Sequence, residues 1–293
     1  MSYQIELRHL TYFNVLAEEL HFRKAAERLF ISQPGLTRQI RQLETLFGAS
    51  LFERGKRFVK LTDAGRFLKT ETDILFSQLD YIRVQLKKIG EGKRAALRVG
   101  FIGSAAQTVI PDILYRLNRK HPDIDVSLNE LPNDAQVTAL LENKLDFGFV
   151  RQQQAPAGLS LQKISEEPFA LVVPDKHPVH TKNFRSLRQF EKENFVLFGR
   201  DYSNDYYQLV MSIFSDCNFI PRVHYQTVNA LTIFKLVEKG MGVAIVPASL
   251  KKGYDIPVRF IELNRIPQRS QLSLLWNPAS RNPGIGALLE LVR

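Results

Sequence analysis

Cysteine is nearly missing from this 293-residue chain. Cys217 stands alone, which excludes an internal disulfide and leaves the thiol to be read as a small packed residue. Long apolar runs are missing too: no stretch approaches the roughly 18 residues that a membrane span needs, so no membrane partner is expected. Met1 to Glu6 lack the basic-then-apolar order of a secretory leader. Together these absences predict a cytoplasmic protein. Common catalytic signatures are also absent. There is no H-E-x-x-H, no G-x-S-x-G, no phosphate-binding glycine loop and no paired-cysteine zinc pattern. His177 and His180 have metal-like spacing, but Pro178 between them predicts a loop with solvated imidazoles. Neither an enzyme, a cofactor nor a metal is expected.

What is present is positive charge, placed unevenly. The chain carries a net +10, and residues 1–62 hold ten Lys/Arg against six Asp/Glu. Total charge is a weak pointer to nucleic acid, so motif placement has to decide. Phe13, Leu16, Ala17 and Leu20 fall on one helical face, as do Phe22, Ala25, Ala26 and Leu29 in the next segment. The two alanines let those helices cross closely. A third helix buries Leu36, Ile40 and Leu43. It starts at Ser32, a good cap, with Pro34 in the first turn. This is a helix-turn-helix, and its outward groups predict DNA contact: Ser32, Gln33, Pro34, Gly35, Thr37, Arg38 and Arg41. Gln can read adenine and Arg guanine in the major groove.

Leu51 to Leu61 read as a two-stranded wing around Gly55, with Arg54, Lys56, Arg57 and Lys60 as expected phosphate or minor-groove contacts. From Thr62 a long helix begins. Leu68, Leu75, Ile82 and Ile89 recur every seven residues, with Thr72, Leu79 and Leu86 at the offset position. Such a stripe predicts a homo-oligomeric contact; burial against its own chain is the alternative. Gly90 to Arg94 break the pattern. Beyond, strands and helices alternate, as in a parallel α/β sheet. A second α/β unit begins near Glu167, which makes two lobes with a cleft and a hinge. The expected division is 1–62 for DNA binding, 63–90 for the linker helix and 91–293 for effector binding. Lobe I takes about 95–165 and 267–293, and lobe II about 166–266.

The ordered run L-R-H-L-x-Y-F, A-A-E-R-L, I-S-Q-P-x-L-T-R-Q-I-R-Q-L-E, L-F-E-R and L-T-D-A-G closely resembles the LysR-type transcriptional regulators. R-V-G-F at 98–101, H-P-D-I at 121–124, L-D-F-G-F at 145–149 and G-M-G-V-A-I-V-P at 240–247 extend the resemblance over essentially the whole chain. It implies an α/β protein with a winged helix-turn-helix, a linker helix and a two-lobed domain like the periplasmic solute-binding proteins. It also implies a dimer of dimers on double-stranded DNA, a small-molecule co-inducer and contact with RNA polymerase. Gly35 stands where the family commonly has alanine or serine. In the subgroup controlling aromatic-compound breakdown, hydroxyl residues hold inducer carboxylates. Ser104 fits that pattern, and Asn133 replaces the usual threonine. Gly103, Ser104, Asn133, Arg151, Phe198, Thr227 and Asn229 are the expected effector contacts, with Arg151 as counter-charge. The rival readings are an enzyme on a solute-binding fold and a non-specific architectural DNA binder.

Overall fold

The computed structural model describes residues 5–55, 58–91 and 95–292, and the chain divides into two compact units, Met1–Arg83 and Val84–Arg293. Two of the expected wing contacts, Lys56 and Arg57, lie outside the described residues.

In the first unit α1 (Leu7–Glu19), α2 (Phe22–Arg28) and α3 (Gln33–Phe47) enclose a core of Phe13, Leu16, Ala25, Ala26, Leu36, Ile40 and Leu43. Leu20 departs from its expected place on the apolar face. It ends α1 in a left-handed conformation, φ 47°, and is 43% exposed, because the chain must reverse there to start α2. The wing strands β1 (Phe52–Arg54) and β2 (Val59–Leu61) pair antiparallel, and Phe52 meets Phe13 with ring centroids 5.5 Å apart. Thr62 caps α4 (Asp63–Gly90), its Oγ1 accepting from Gly65 N at 2.9 Å. A Cβ at Gly65 would fall 2.1 Å from the Leu51 carbonyl oxygen, so only glycine lets α4 start this close to the wing.

The second unit opens with β3 (Ala95–Phe101). Then follow α5 (Gly103–Ala106), α6 (Ile110–Lys120), β4 (Ile124–Glu130), α7 (Asn133–Leu141), β5 (Phe147–Val150) and β6 (Ser160–Glu167). The chain next enters a second sheet with β7 (Phe169–Pro174), β8 (Asn194–Phe198), α8 (Asn204–Asp216), β9 (Arg222–Thr227), α9 (Ala230–Glu238), β10 (Ala244–Pro247) and β11 (Val258–Glu262). It returns through β12 (Ser270–Trp276) and ends in α10 (Ile285–Val292). The first sheet has the order β4-β3-β5-β12-β6, its first three strands parallel. The second joins β10-β7-β11 to the β8-β9 pair through a bridge between Phe195 and Val243. β6 reaches Glu167 before the chain crosses over, two residues past the expected end of lobe I. The single helix expected over 105–121 is broken into α5 and α6. Pro111 sits in the first turn of α6, has no N–H to give and would collide with the Gln107 carbonyl of a continuous helix.

Candidate functional site

The DNA-facing element is α3. Ser32 Oγ accepts from Gly35 N at 3.2 Å, which satisfies one of the free amides at the helix start. A Cβ at position 35 would stand 3.0 Å from that same oxygen, so glycine leaves the cap room. With Leu36, Ile40 and Leu43 buried, Gln33, Pro34, Arg38 and Arg41 are exposed. Thr37 is half-buried, and its hydroxyl donates to the Gln33 carbonyl at 3.0 Å, inside its own helix. Phe30, in the turn before α3, has φ 55° and is 96% exposed. Nothing in the apolar periodicity singled it out. Lys60 is exposed on β2, its ammonium 5.2 Å from the Phe58 ring centroid.

Arg54 has a second role. Its guanidinium is 2.6 Å from the Glu44 carboxylate and lies over the Phe22 ring at 5.2 Å, so it is anchored within the unit while remaining exposed. Glu44 also accepts from Leu51 N at 2.9 Å and Phe52 N at 3.3 Å. The glutamate that closes the R-Q-L-E run therefore ties α3 to the wing, a role its spacing alone did not reveal.

In the second unit a cleft opens where β3 and β4 end. Two adjoining cavities of 230 and 280 Å³ share Gly103, Glu130, Tyr202, Val228 and Asn229 in their walls. The smaller is also lined by Ser104, Gln107, Phe198 and Tyr254. Of the expected effector contacts, Gly103, Ser104, Phe198 and Asn229 line this space. Thr227 does not; its Oγ1 accepts from Asn229 N at 3.2 Å and shapes the start of α9, where Asn229 Oδ1 accepts from Thr232 N at 3.3 Å.

Asn133 and Arg151 are corrections. Asn133 is 1% exposed: its Nδ2 donates to the Arg151 carbonyl at 2.9 Å and its Oδ1 accepts from Arg151 N at 3.2 Å. Both ends of the amide are committed to backbone. The Arg151 guanidinium is buried 2.7 Å from the Glu167 carboxylate and donates to Ser270 Oγ at 3.0 Å. Glu167 in turn accepts from the Ser249 hydroxyl at 2.8 Å. This knot joins the end of β5, the β6 crossover, the turn after β10 and the start of β12. Arg151 is ion-paired with Glu167 and lines neither of these two cavities. It borders a separate 410 Å³ cavity walled by Gln152, Gln153, Gln154 and Gln208.

The electrostatics of the cleft are set by what is buried in it. Desolvation pushes the Tyr202 phenol up to about 12, against the opposing pull of the Arg151 cation and the Ser104 hydroxyl. Tyr254 is raised by burial as well, and Tyr206 far more so. These phenols are neutral hydrogen-bonding groups near neutral pH. Burial first, then Asp205, raises the Asp134 carboxyl. Ser104 Oγ stands beside the Tyr202 phenol and Gln107 beside that of Tyr254, and each lowers its neighbour slightly against the effect of burial. Sequence reasoning missed Gln107, Glu130, Tyr202 and Tyr254. Glu130 was within reach of one rule, that α/β ligand sites gather at the carboxyl ends of strands. Elsewhere, His177 stacks on Phe190 at 5.3 Å, and its Nδ1 accepts from Val179 N. His180 Nδ1 accepts from Lys182 N in the same loop. Burial raises the Cys217 thiol, which keeps it protonated.

With this geometry in place, comparison with known proteins is direct. Residues 7–66 match the family described as bacterial regulatory helix-turn-helix protein, lysR family, and residues 90–293 match the LysR substrate binding domain. The chain is 34% identical over 285 residues to the uncharacterized HTH-type transcriptional regulator YnfL of Escherichia coli, covering 95% of this chain and 96% of that protein. It is 31% identical over 265 residues to the HTH-type transcriptional regulator BenM of Acinetobacter baylyi, covering 90% and 85%. Among solved structures, full-length CbnR complexed with its target DNA superposes with a TM-score of 0.75 at 25% identity, covering 99% of both chains.

Proposed function

The chain belongs to the LysR family of DNA-binding transcriptional regulators, and from that footing we propose a sequence-selective regulator whose grip on its operator answers to a small molecule held in the Gly103–Glu130–Tyr202 cleft. Its family and relatives are transcriptional regulators rather than enzymes. The observation that carries the proposal is the outer face of α3. Gln33, Arg38 and Arg41 are exposed there while the opposite face is sealed into the core. The likeness to a full-length regulator solved on its target DNA supports the same reading. α4 supports pairing of copies: Leu75, Leu79, Ile82, Leu86 and Ile89 are all exposed along it. Thr72, expected in that stripe, instead donates to Asn14 Oδ1 at 2.6 Å, so the seam begins one step later. Assembly as a dimer of dimers, work on DNA in the cytoplasm and contact with RNA polymerase complete the proposal. Asn133 and Arg151 are bonded elsewhere and lend a carboxylate effector no support, so the reading retained is a small molecule with a polar head.

A competition gel shift tests the DNA half. Arg38→Ala removes a base-reading group worth about 1–3 kcal/mol and should collapse discrimination between the operator and a scrambled duplex. Lys60→Ala should weaken both duplexes alike and flatten the salt slope by about one unit. Undiminished discrimination in Arg38→Ala would remove α3 from the role of reader.

A further inference from the structure

Resting on the effector reading of the cleft, we infer that its ligand carries a protonated amine, and that Glu130 selects this head group over a carboxylate. Glu130 is the last residue of β4, lines both cavities and is exposed to them. Among the described residues its side chain has neither a hydrogen-bond nor an ion-pair partner. The walls of the two cavities contain no Lys, Arg or His to balance it. The nearby cation, Arg151, is already neutralised by Glu167. An anion entering this space would meet the Glu130 carboxylate, with no cationic side chain in the walls to hold it.

The rest of the lining asks for a donor in the same place. Ser104 is 5% exposed, and among the described residues the only donors beside its Oγ and the buried Gln107 Oε1 are the phenols of Tyr202 and Tyr254. Each oxygen keeps acceptor capacity for a ligand that donates hydrogen bonds. An ammonium has three donors and no acceptor, which matches a site offering a carboxylate, an amide oxygen and a hydroxyl. Glu130 also crowds the start of α5, where backbone amides would otherwise face an anion. Its Oε1 lies 2.9 Å from where a Gly103 Cβ would be, so the carboxylate leans over the start of α5, itself a single turn. Phe198 and Tyr202, stacked on each other with centroids 4.5 Å apart, and Tyr254 give the smaller cavity an aromatic lining, and aromatic rings attract organic cations.

The test uses the full-length chain and three pairs of probes matched in frame and opposite in charge: ethylammonium and propionate, butylammonium and valerate, benzylammonium and benzoate. Binding is read by calorimetric titration at pH 7. The ammonium member of at least one pair should bind about tenfold or more tighter than its acid. Glu130→Gln, which keeps the side-chain shape, should cut that ratio by about tenfold while leaving the melting temperature of the unliganded protein unchanged. The wild-type ratio stands as a readout even if the variant fails to fold. Tighter binding of the acid in wild type, or a ratio untouched in a folded Glu130→Gln protein, overturns the inference. Ser104→Trp, which fills the cleft, separates this from the parent reading. Acid binding lost in Ser104→Trp leaves the cleft as the effector site with the opposite charge preference. Probe binding that survives Ser104→Trp, or no binding by any probe, sinks both.

Discussion

Glu167→Gln is the sharpest test of how the effector unit is held together. The substitution keeps the side-chain size and removes one charge, which strands the Arg151 guanidinium at 2% side-chain exposure. Breaking a buried ion pair from one side costs about 3–5 kcal/mol, because the remaining charge stays desolvated. The network has no slack to absorb the loss: Arg151 Nε already lacks a partner, and Ser270 Oγ at 3.0 Å is a neutral acceptor. For a unit of this size 1 kcal/mol moves the midpoint by about 2–4 °C, so a fall of roughly 6–20 °C is expected in the transition of the effector unit. The transition of the DNA-binding unit should stay where it is. Differential scanning calorimetry of the full chain reads both. The paired replacement Arg151→Met with Glu167→Met should recover most of the loss, since a buried pair exchanged for apolar groups of similar size is near neutral. What remains is about 1 kcal/mol for each hydrogen bond lost with the pair, the one from Arg151 to Ser270 and those from Ser249 to Glu167. A single substitution that costs less than about 1 kcal/mol, or a double one as damaging as the sum, would refute the assignment of Arg151 to structure and return it to the list of effector contacts.

Glu44→Ala should destabilise the DNA-binding unit by about 2–4 kcal/mol, because it removes the acceptor for the Leu51 and Phe52 amides together with the Arg54 ion pair; a thermal melt unchanged to within about 0.5 kcal/mol would mean that the carboxylate does not hold α3 to the wing. Tyr202 makes stability fall in alkali. Its folded value of about 12 exceeds the ordinary 10.0, so the unfolded chain releases the proton first. Stability is then full below about pH 10, declines from there to about pH 12 and has lost on the order of 2–3 kcal/mol by the end. Denaturant titrations at stepped pH on wild type and Tyr202→Phe check this, and an identical alkaline loss in both proteins would count against a buried phenol.

The DNA-binding half was legible in the sequence because its determinants are local. Leu36, Ile40 and Leu43 sit at helical spacing, Ser32 and Pro34 mark the helix start, and Thr62 marks the next one; each is recognised within one or two turns of chain. Even there the reading failed where a partner is distant or a turn overrides a period. The Arg54 ion pair is hidden in the sequence because Glu44 is ten residues away on another element. Leu20 kept the apolar period but sits past the last residue that can continue the helix. Thr72 kept the heptad but faces Asn14, 58 positions earlier.

The cleft shows the same limit more severely. An arginine after a buried strand and an asparagine at a helix start are reasonable ligand contacts when each is considered alone. Whether either is available depends on Glu167 and Ser270, brought to Arg151 only when β6 and β12 pair, and on the Arg151 backbone reaching Asn133 across 18 residues. No periodicity encodes those meetings. Conversely, Glu130 carries no signal of its own in the sequence, and in the structure it ends a run of four exposed residues on β4. It acquires its character from its surroundings: no cationic side chain lines the cavities it borders. Side-chain chemistry in the first half is thus set by neighbours along a helix, and in the second by what the tertiary fold leaves unsatisfied. If Glu130 sets the charge of the head group, a homologous regulator that keeps Ser104 and replaces Glu130 is expected to lose the preference for an ammonium; matched titrations of such a regulator check this.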